Sequence, residues 1–376
     1  MQVSKSILAC AALIGTIIGA GVFAIPYVIA KSGVLISLFY FILLGSLVLL
    51  LHLLYGEVVL RTEGRHQLSG YVKKYLGERP KKILIICSML GAIGALLIYI
   101  ILGAEFLKMI LPVNLSLLQA GFIFLALLTP FIFLGMKAIA RLELFLTAGL
   151  LAVFFLIIGL CLPRVSMANY QLFDSAYWFL PFGVLLFSLV GWNSVPEIMD
   201  ILTNDKKKLK NVIVSSFLVC LAVYLLFGFV GAGVIGQTAY QDVFLGLTVF
   251  LGPGIVILGG IAGLLAVITS FVITANFLKH LLDYDCNLPH WLAFLLTIII
   301  PFLLFLAGLR QFLPIIGLVG VFMGLAEGTA IVLIYQKAKK LGERKPEFSL
   351  KTHRAFLYFI ILILVFGVVA EVANLL

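Results

Sequence analysis

Charge is scarce in this sequence. Asp, Glu, Lys and Arg make up 11% of 376 residues, against about 25% in an ordinary soluble domain. The five histidines (His52, His66, His280, His290, His353) are scattered, so neither metal-ligand nor catalytic spacing arises. No glycine-rich phosphate loop appears either, which removes ATP-driven pumping and leaves a polytopic membrane enzyme without sequence support. Cysteine is sparse and odd in number: Cys10, Cys87, Cys161 and Cys220 fall in apolar segments and Cys286 in a short loop. That pattern argues against a disulfide framework and for packing. Low-complexity tracts and linkers long enough to separate soluble domains are absent. So are the polar rings or repeated filter segments that a channel would need. The N-terminus, Met1-Gln-Val-Ser-Lys5, has no small-residue cleavage site after it and reads as the lead-in to a first span.

What is present in abundance is apolar. Hydrophobic residues are 63% of the chain, and the mean hydropathy of +1.23 is that of an integral membrane protein. With about 20 apolar residues per span, eleven candidates emerge: Ile7–Ala30, Gly33–Leu60, Ile83–Leu111, Leu117–Met136, Leu142–Leu162, Tyr177–Ile201, Asn211–Ile235, Pro253–Leu282, His290–Leu309, Phe312–Gln336 and Arg354–Leu375. If the N-terminus is cytoplasmic, all 26 Lys and Arg lie inside except Lys31, Lys108, Arg164 and Arg310. This is the positive-inside rule holding loop after loop. The net charge of +10 therefore orients the chain in a bilayer, and nucleic acid is excluded as a partner. The expectation is a multi-pass protein of the cell membrane with an extracytoplasmic C-terminus.

Two spans carry interruptions. Gly19 and Gly21 sit midway through the first, in Gly15-Thr16-Ile17-Ile18-Gly19-Ala20-Gly21. Each costs about 1 kcal/mol against Ala in a helix, and unwound backbone needs polar partners that lipid lacks. The sixth span carries Ser188-Leu189-Val190-Gly191-Trp192-Asn193-Ser194, followed by Ser194-Val-Pro196-Glu197. The latter reads as a capping box restarting a half-helix. Paired breaks in corresponding spans point to a transporter's binding site. Five spans separate the two, so spans one to five (1–162) and six to ten (163–338) form an inverted repeat, with residues 339–376 supplying a loop and an extra span. N–H groups at a restarted half-helix suit a carboxylate, and carbonyls of the preceding half suit an ammonium group. Small residues at Gly19, Ala20 and Gly21 let a ligand approach the backbone. The apolar loop Gly236–Gly252 reads equally as a gate or as ordinary packing.

The segment Gly15 to Pro26, Gly-Thr-Ile-Ile-Gly-Ala-Gly-Val-Phe-Ala-Ile-Pro, resembles the first-helix motif of the amino acid/auxin permeases and the related aromatic amino acid permeases of the amino acid–polyamine–organocation superfamily. Tyr55-Gly-Glu57-Val-Val-Leu-Arg61-Thr, Tyr71-Val-Lys-Lys-Tyr-Leu-Gly77 and Pro181-Phe-Gly-Val-Leu-Leu-Phe-Ser-Leu-Val-Gly-Trp192 extend the likeness. The resemblance covers essentially the whole chain. It implies the leucine-transporter fold: an all-α membrane protein of eleven transmembrane helices, a 5+5 inverted repeat plus one, with the first and sixth helices discontinuous. It also implies amino-acid contacts from Thr16, Gly19, Ala20, Gly21, Ser188, Leu189, Val190 and Gly191, with Tyr99 facing the same pocket. Phe23, Phe187 and Trp192 would line a side-chain pocket for a neutral, apolar or aromatic amino acid.

Coupling by a cation is expected, and two schemes compete. Ala266-Val-Ile-Thr269-Ser270 in span eight resembles the hydroxyl pair of sodium-coupled relatives. Carbonyls of Gly15 and Ile18 would complete an oxygen-only sodium site. The competing account of Thr269 and Ser270 is bonding to carbonyls one turn back. For proton coupling, Glu327 lies about ten residues into span ten, ~15 Å from its end, and His52 lies at comparable depth. Ionisable groups that deep mark functional positions by default. Span five offers only Lys137 and Arg141 near its start and lacks the midplane lysine that replaces sodium in some proton-coupled relatives, so sodium is favoured slightly. Glu57, Glu105, Glu143 and Glu371 sit near span ends and read as interfacial or structural. No organic cofactor is expected, the oligomeric state is left open, and a non-transporting sensor of the same fold is the remaining rival.

Overall fold

A computed structural model describes residues 4–375 apart from 65, 112, 135–138, 204 and 237–253, and omits the side chains of 133–144, 255–256 and 375. Among the described residues the regular structure is helical. The apolar sequence dictates this, because a helix satisfies its own backbone polar groups where no water can.

In chain order the α-helices are α1 (Lys5–Ile17), α2 (Ile25–Ser32), α3 (Val34–Arg61), α4 (Leu68–Leu76), α5 (Glu78–Ile110), α6 (Leu117–Leu134), α7 (Ile139–Cys161), α8 (Leu180–Leu189), α9 (Val195–Leu202), α10 (Leu209–Ile235), α11 (Gly254–His280), α12 (His290–Leu306), α13 (Phe312–Leu341) and α14 (Arg354–Leu375). Eight stretches among the described residues are long and apolar enough to cross a membrane, α8 with α9 counting as one. The α1–α2 pair makes a ninth if its 51° bend is taken as one broken span, while Leu117–Ile132 and His290–Leu306 are shorter apolar helices.

The α1–α2 and α8–α9 pairs occupy the middle of the molecule, side by side. Helix α1 packs on α9 and α2 on α8, so the two interruptions lie at one level. At the end shared by α1 and α9, Lys5 Nζ donates to Thr203 Oγ1 at 2.7 Å. Around this pair stand α3, α5, α7, α10, α11 and α13. Helices α8 and α13 touch backbone to backbone: a Cβ at Gly183 would lie 2.6 Å from the Gly317 carbonyl oxygen. Small residues are how membrane helices approach this closely.

Both ends are strapped. Val34 and Leu35 N–H donate to the carbonyls of Gln171 and Leu172, and Asp174 N–H to that of Ser32. At the opposite end Glu57 accepts from Arg61, Ser349 Oγ and the Leu350 N–H, fastening the segment after α13 to α3. The structural role expected of Glu57 is thus specific. Of the expected gate Gly236–Gly252, all but Gly236 lies outside the described residues, as do Lys137 and the side chains of Arg141 and Glu143.

Candidate functional site

The first interruption begins where the α-helical ladder stops. Ile18 N–H still reaches the Ile14 carbonyl, but Gly19 N–H turns to Ile17 O at 2.9 Å. The chain then runs through a 3-10 turn, Ala20–Ala24, before α2. The Gly15 carbonyl thereby loses its ladder partner, and the N–H groups of Ala20 and Gly21 open the turn with no partner inside it. The second interruption follows α8: Val190 is extended, Gly191 has φ −157°, and a 3-10 turn at Trp192–Ser194 leads into α9. Ser194 is not the cap expected from the sequence. The 3-10 turn has already placed it in helical conformation, and its hydroxyl donates back to the Gly191 carbonyl at 2.8 Å.

The two interruptions touch. A Cβ on Gly21 would overlap Ser188 Oγ and fall 2.8 Å from its Cα, and one on Gly191 would overlap Ile17 Cγ1. Glycine at these two positions serves the approach of one break to the other. Gly19 faces elsewhere. Its Cβ position is 2.8 Å from Ser270 Oγ and 3.7 Å from the Tyr99 hydroxyl. The structure thus brings Gly19, Tyr99 of α5 and Ser270 of α11 together. Ser270 is 4% exposed, and its hydroxyl lacks a well-formed hydrogen bond.

Other candidates are placed differently. Thr16 and Ser188 turn their hydroxyls back to the carbonyls of Ala12 and Val184. Thr269 does likewise toward Leu265 and Ala266. Phe23 joins an aromatic group with Phe106 and Phe154, at centroid distances of 4.9 and 6.0 Å. Phe187 packs against Gly320 of α13. Ala20 and Leu189 are fully buried. Trp192 is not free to cover a ligand, because its indole N–H donates to Glu327 Oε2 at 2.6 Å.

Glu327 is a buried acid beside the second break with three donors. It accepts from Trp192, from Asn193 Nδ2 at 3.3 Å and, on its other oxygen, from Ser88 Oγ at 2.9 Å. It is fully buried, and among the described residues no salt bridge reaches it. His52, also fully buried, holds the Val48 carbonyl through Nδ1, packs at a tilt against Trp192 with ring centroids 5.6 Å apart and leaves Nε2 unpartnered. The two proton candidates therefore flank one indole.

Sequence reasoning missed Tyr224 of α10. Its fully buried hydroxyl lies 2.7 Å from the Ile17 carbonyl and 2.9 Å from that of Ser188, one from each break. A tyrosine in the middle of an apolar span was the available signal, since a buried phenol seeks a partner. A cavity of about 650 Å³ opens below the breaks at the ends of α3 and α9, lined by Val59, Thr62, Tyr71, Pro196, Asp200 and Lys206 among others.

With this geometry in view, the comparisons with known proteins are decisive for the family. The sequence model of the tryptophan/tyrosine permease family matches residues 3–371. The chain belongs to the tryptophan/tyrosine permease family. The chain is 23% identical over 232 residues to "Tyrosine-specific transport system 1" of Haemophilus influenzae, covering 61% of the chain and 58% of the relative. It is 27% identical over 234 residues to "Tyrosine-specific transport system 2" of the same organism, covering 60% and 57%. Each alignment thus spans less than two thirds of the relative. The crystal structure of MhsT in complex with L-phenylalanine matches the chain with a TM-score of 0.70 at 15% identity, covering 99% of this chain and 98% of that one. This likeness establishes the leucine-transporter type of fold. The amino acid/auxin permeases named from the first-helix motif are a related group; the family shown is the aromatic one.

Proposed function

We propose that this permease carries aromatic amino acids across the cell membrane by alternating access, coupled to a cation. The observation that carries the proposal is the meeting of two interrupted helices at one level. Main-chain groups freed from both ladders meet there in a water-poor interior. The N–H groups opening the 3-10 turn after Gly19 suit the carboxylate of a zwitterion. Carbonyls released at the ends of α1 and α8 suit its ammonium group. Tyr99 and the first break supply one wall. The names of the Haemophilus relatives and the phenylalanine in the MhsT structure favour a ring-bearing side chain over a branched one. The span order supports eleven crossings arranged as five, five inverted and one, with the N-terminus cytoplasmic.

Sodium is the ion that the first break favours. Gly15 and Ile18 offer carbonyls released from the ladder, Ser270 offers a buried hydroxyl without a well-formed hydrogen bond, and Thr269 and Ala266 keep lone pairs after their mutual bond. These residues would hold the ion as hard oxygen ligands, and the ion would supply a fixed positive charge beside the substrate. A second reading is proton coupling through Glu327 and His52. It is favoured by a buried carboxylate whose donors are all neutral, beside an imidazole nitrogen without a partner.

Uptake of labelled L-tyrosine, L-tryptophan and L-phenylalanine into proteoliposomes tests the proposal. Accumulation driven by an inward sodium gradient, and reduced at least tenfold by Ser270→Ala, is the expected result. Accumulation that follows a pH gradient, ignores sodium and is lost in Glu327→Gln establishes the second reading. Absence of any accumulation or exchange leaves the fold to a sensor.

A further inference from the structure

Tyr224 belongs to neither break, yet it is bonded to both. The Ile17 carbonyl already accepts from Gly19 N–H and would otherwise serve Gly21, and the Ser188 carbonyl would otherwise serve Trp192. Each lost its ladder partner when its helix ended, and each is aimed at the same phenol. The phenol has one proton for two acceptors at 2.7 and 2.9 Å, so the separation of the carbonyls is set by the reach of a single hydroxyl. Helix α10 is held on both sides of this point. Ser216 Oγ donates to the Cys10 carbonyl in α1, and Gly228 sits against Ile25 of α2. Neighbouring Phe227 stacks edge-on to Phe154 at 4.9 Å. The hydroxyl thus projects from a wall that follows the whole broken span.

We propose that Tyr224 is a positioning residue that fastens the backbone of the first break to that of the second and thereby sets substrate affinity. This deepens the amino-acid reading of the site and rests on it. The shared proton lets one carbonyl be released while the other is held, so the breaks separate in steps without stranding both acceptors together.

The test compares wild type with Tyr224→Phe, which keeps the ring, and with Tyr55→Phe. Tyr55 is equally buried, but its hydroxyl has no hydrogen-bond partner. Hydrogen exchange without ligand should quicken at both 15–24 and 187–194 in Tyr224→Phe and at neither in Tyr55→Phe. The dissociation constant for L-tyrosine should rise roughly tenfold in Tyr224→Phe alone. Unchanged exchange at the breaks, faster exchange confined to α10, or the same changes in Tyr55→Phe would overturn the inference. A wild-type protein that binds neither L-tyrosine nor L-tryptophan removes the amino-acid reading instead, and the exchange measurement still decides whether Tyr224 fastens the breaks.

Discussion

The two breaks are built from the same elements and held by different means. The first ends in glycines and is surrounded by hydroxyls: Tyr99, Ser270 and, from the side, Tyr224. No carboxylate bonds it among the described residues. The second is pinned by side chains, with Trp192 and Asn193 both donating to Glu327 and Ser88 completing that acid's shell. One break therefore depends on a buried anion-forming group supplied by α13, and the other on neutral contacts that are individually weaker. The difference assigns unequal duties. The second break is anchored to the surrounding helices, and the first is the partner able to accommodate a ligand and an ion.

Removing the anchor should have the largest effect. Glu327→Leu strands an indole N–H, an amide and a hydroxyl, each worth about 1–3 kcal/mol when buried without a partner. The variant should lose most of its thermal stability in detergent, followed by fluorescence-detected size exclusion. Glu327→Gln, which keeps an acceptor oxygen, should lose much less. Equal losses in the two would mean that the acid merely fills space. Next comes the contact itself. Gly21→Val must push against the Ser188 backbone, an overpacking cost of about 1–3 kcal/mol. It should abolish binding of L-tyrosine while membrane insertion stays intact, and wild-type affinity would dissolve the shared site. Ser194→Ala should be milder, about 1 kcal/mol or less, because only the bond to Gly191 is lost. A larger effect there than in Gly21→Val would reverse the assignment of duties.

The smallest effect belongs to the strap. Glu343 accepts from the Glu63 N–H and from Lys74 Nζ at 2.7 Å, and Lys74 together with that N–H holds its carboxyl below the usual carboxylate range. Its folded value is depressed, so its stabilisation is present above the ordinary carboxylate pKa and fades as pH falls through the lower folded value. Glu343→Gln should abolish this acid sensitivity of the strap, read by proteolysis of the segment after α13, and leave amino-acid binding untouched. Altered binding would tie the strap to the breaks.

How much of this could be read beforehand follows from what periodicity carries. Gly19, Gly21 and Gly191 announced both interruptions because glycine in a lipid-buried helix is costly. Pro26 and Pro196 each stand second in the half-helix that resumes, where a missing N–H does no harm. Glu327 and His52 announced themselves by depth. Ser194 misled: it does stand just before the resumed half-helix, but a 3-10 turn that no local pattern signals leaves it in helical conformation with its hydroxyl turned back to Gly191. Trp192 read as pocket wall because its apolar ring gives no hint of which acceptor its N–H will meet. Neither Ser88 nor Tyr224 revealed its partners, which lie 239 residues away for Ser88 and 36 and 207 residues away for Tyr224.

The order of amino acids alone settled that this chain is helical, lies in a bilayer and is interrupted twice, because hydrophobic length and glycine placement act over one helix at a time. Only the folded arrangement decided that the interruptions touch, that a carboxylate from α13 grips one of them, and that a single phenol spans both. Those facts depend on which helix stands beside which, and contacts across some two hundred residues leave no periodic mark in the sequence.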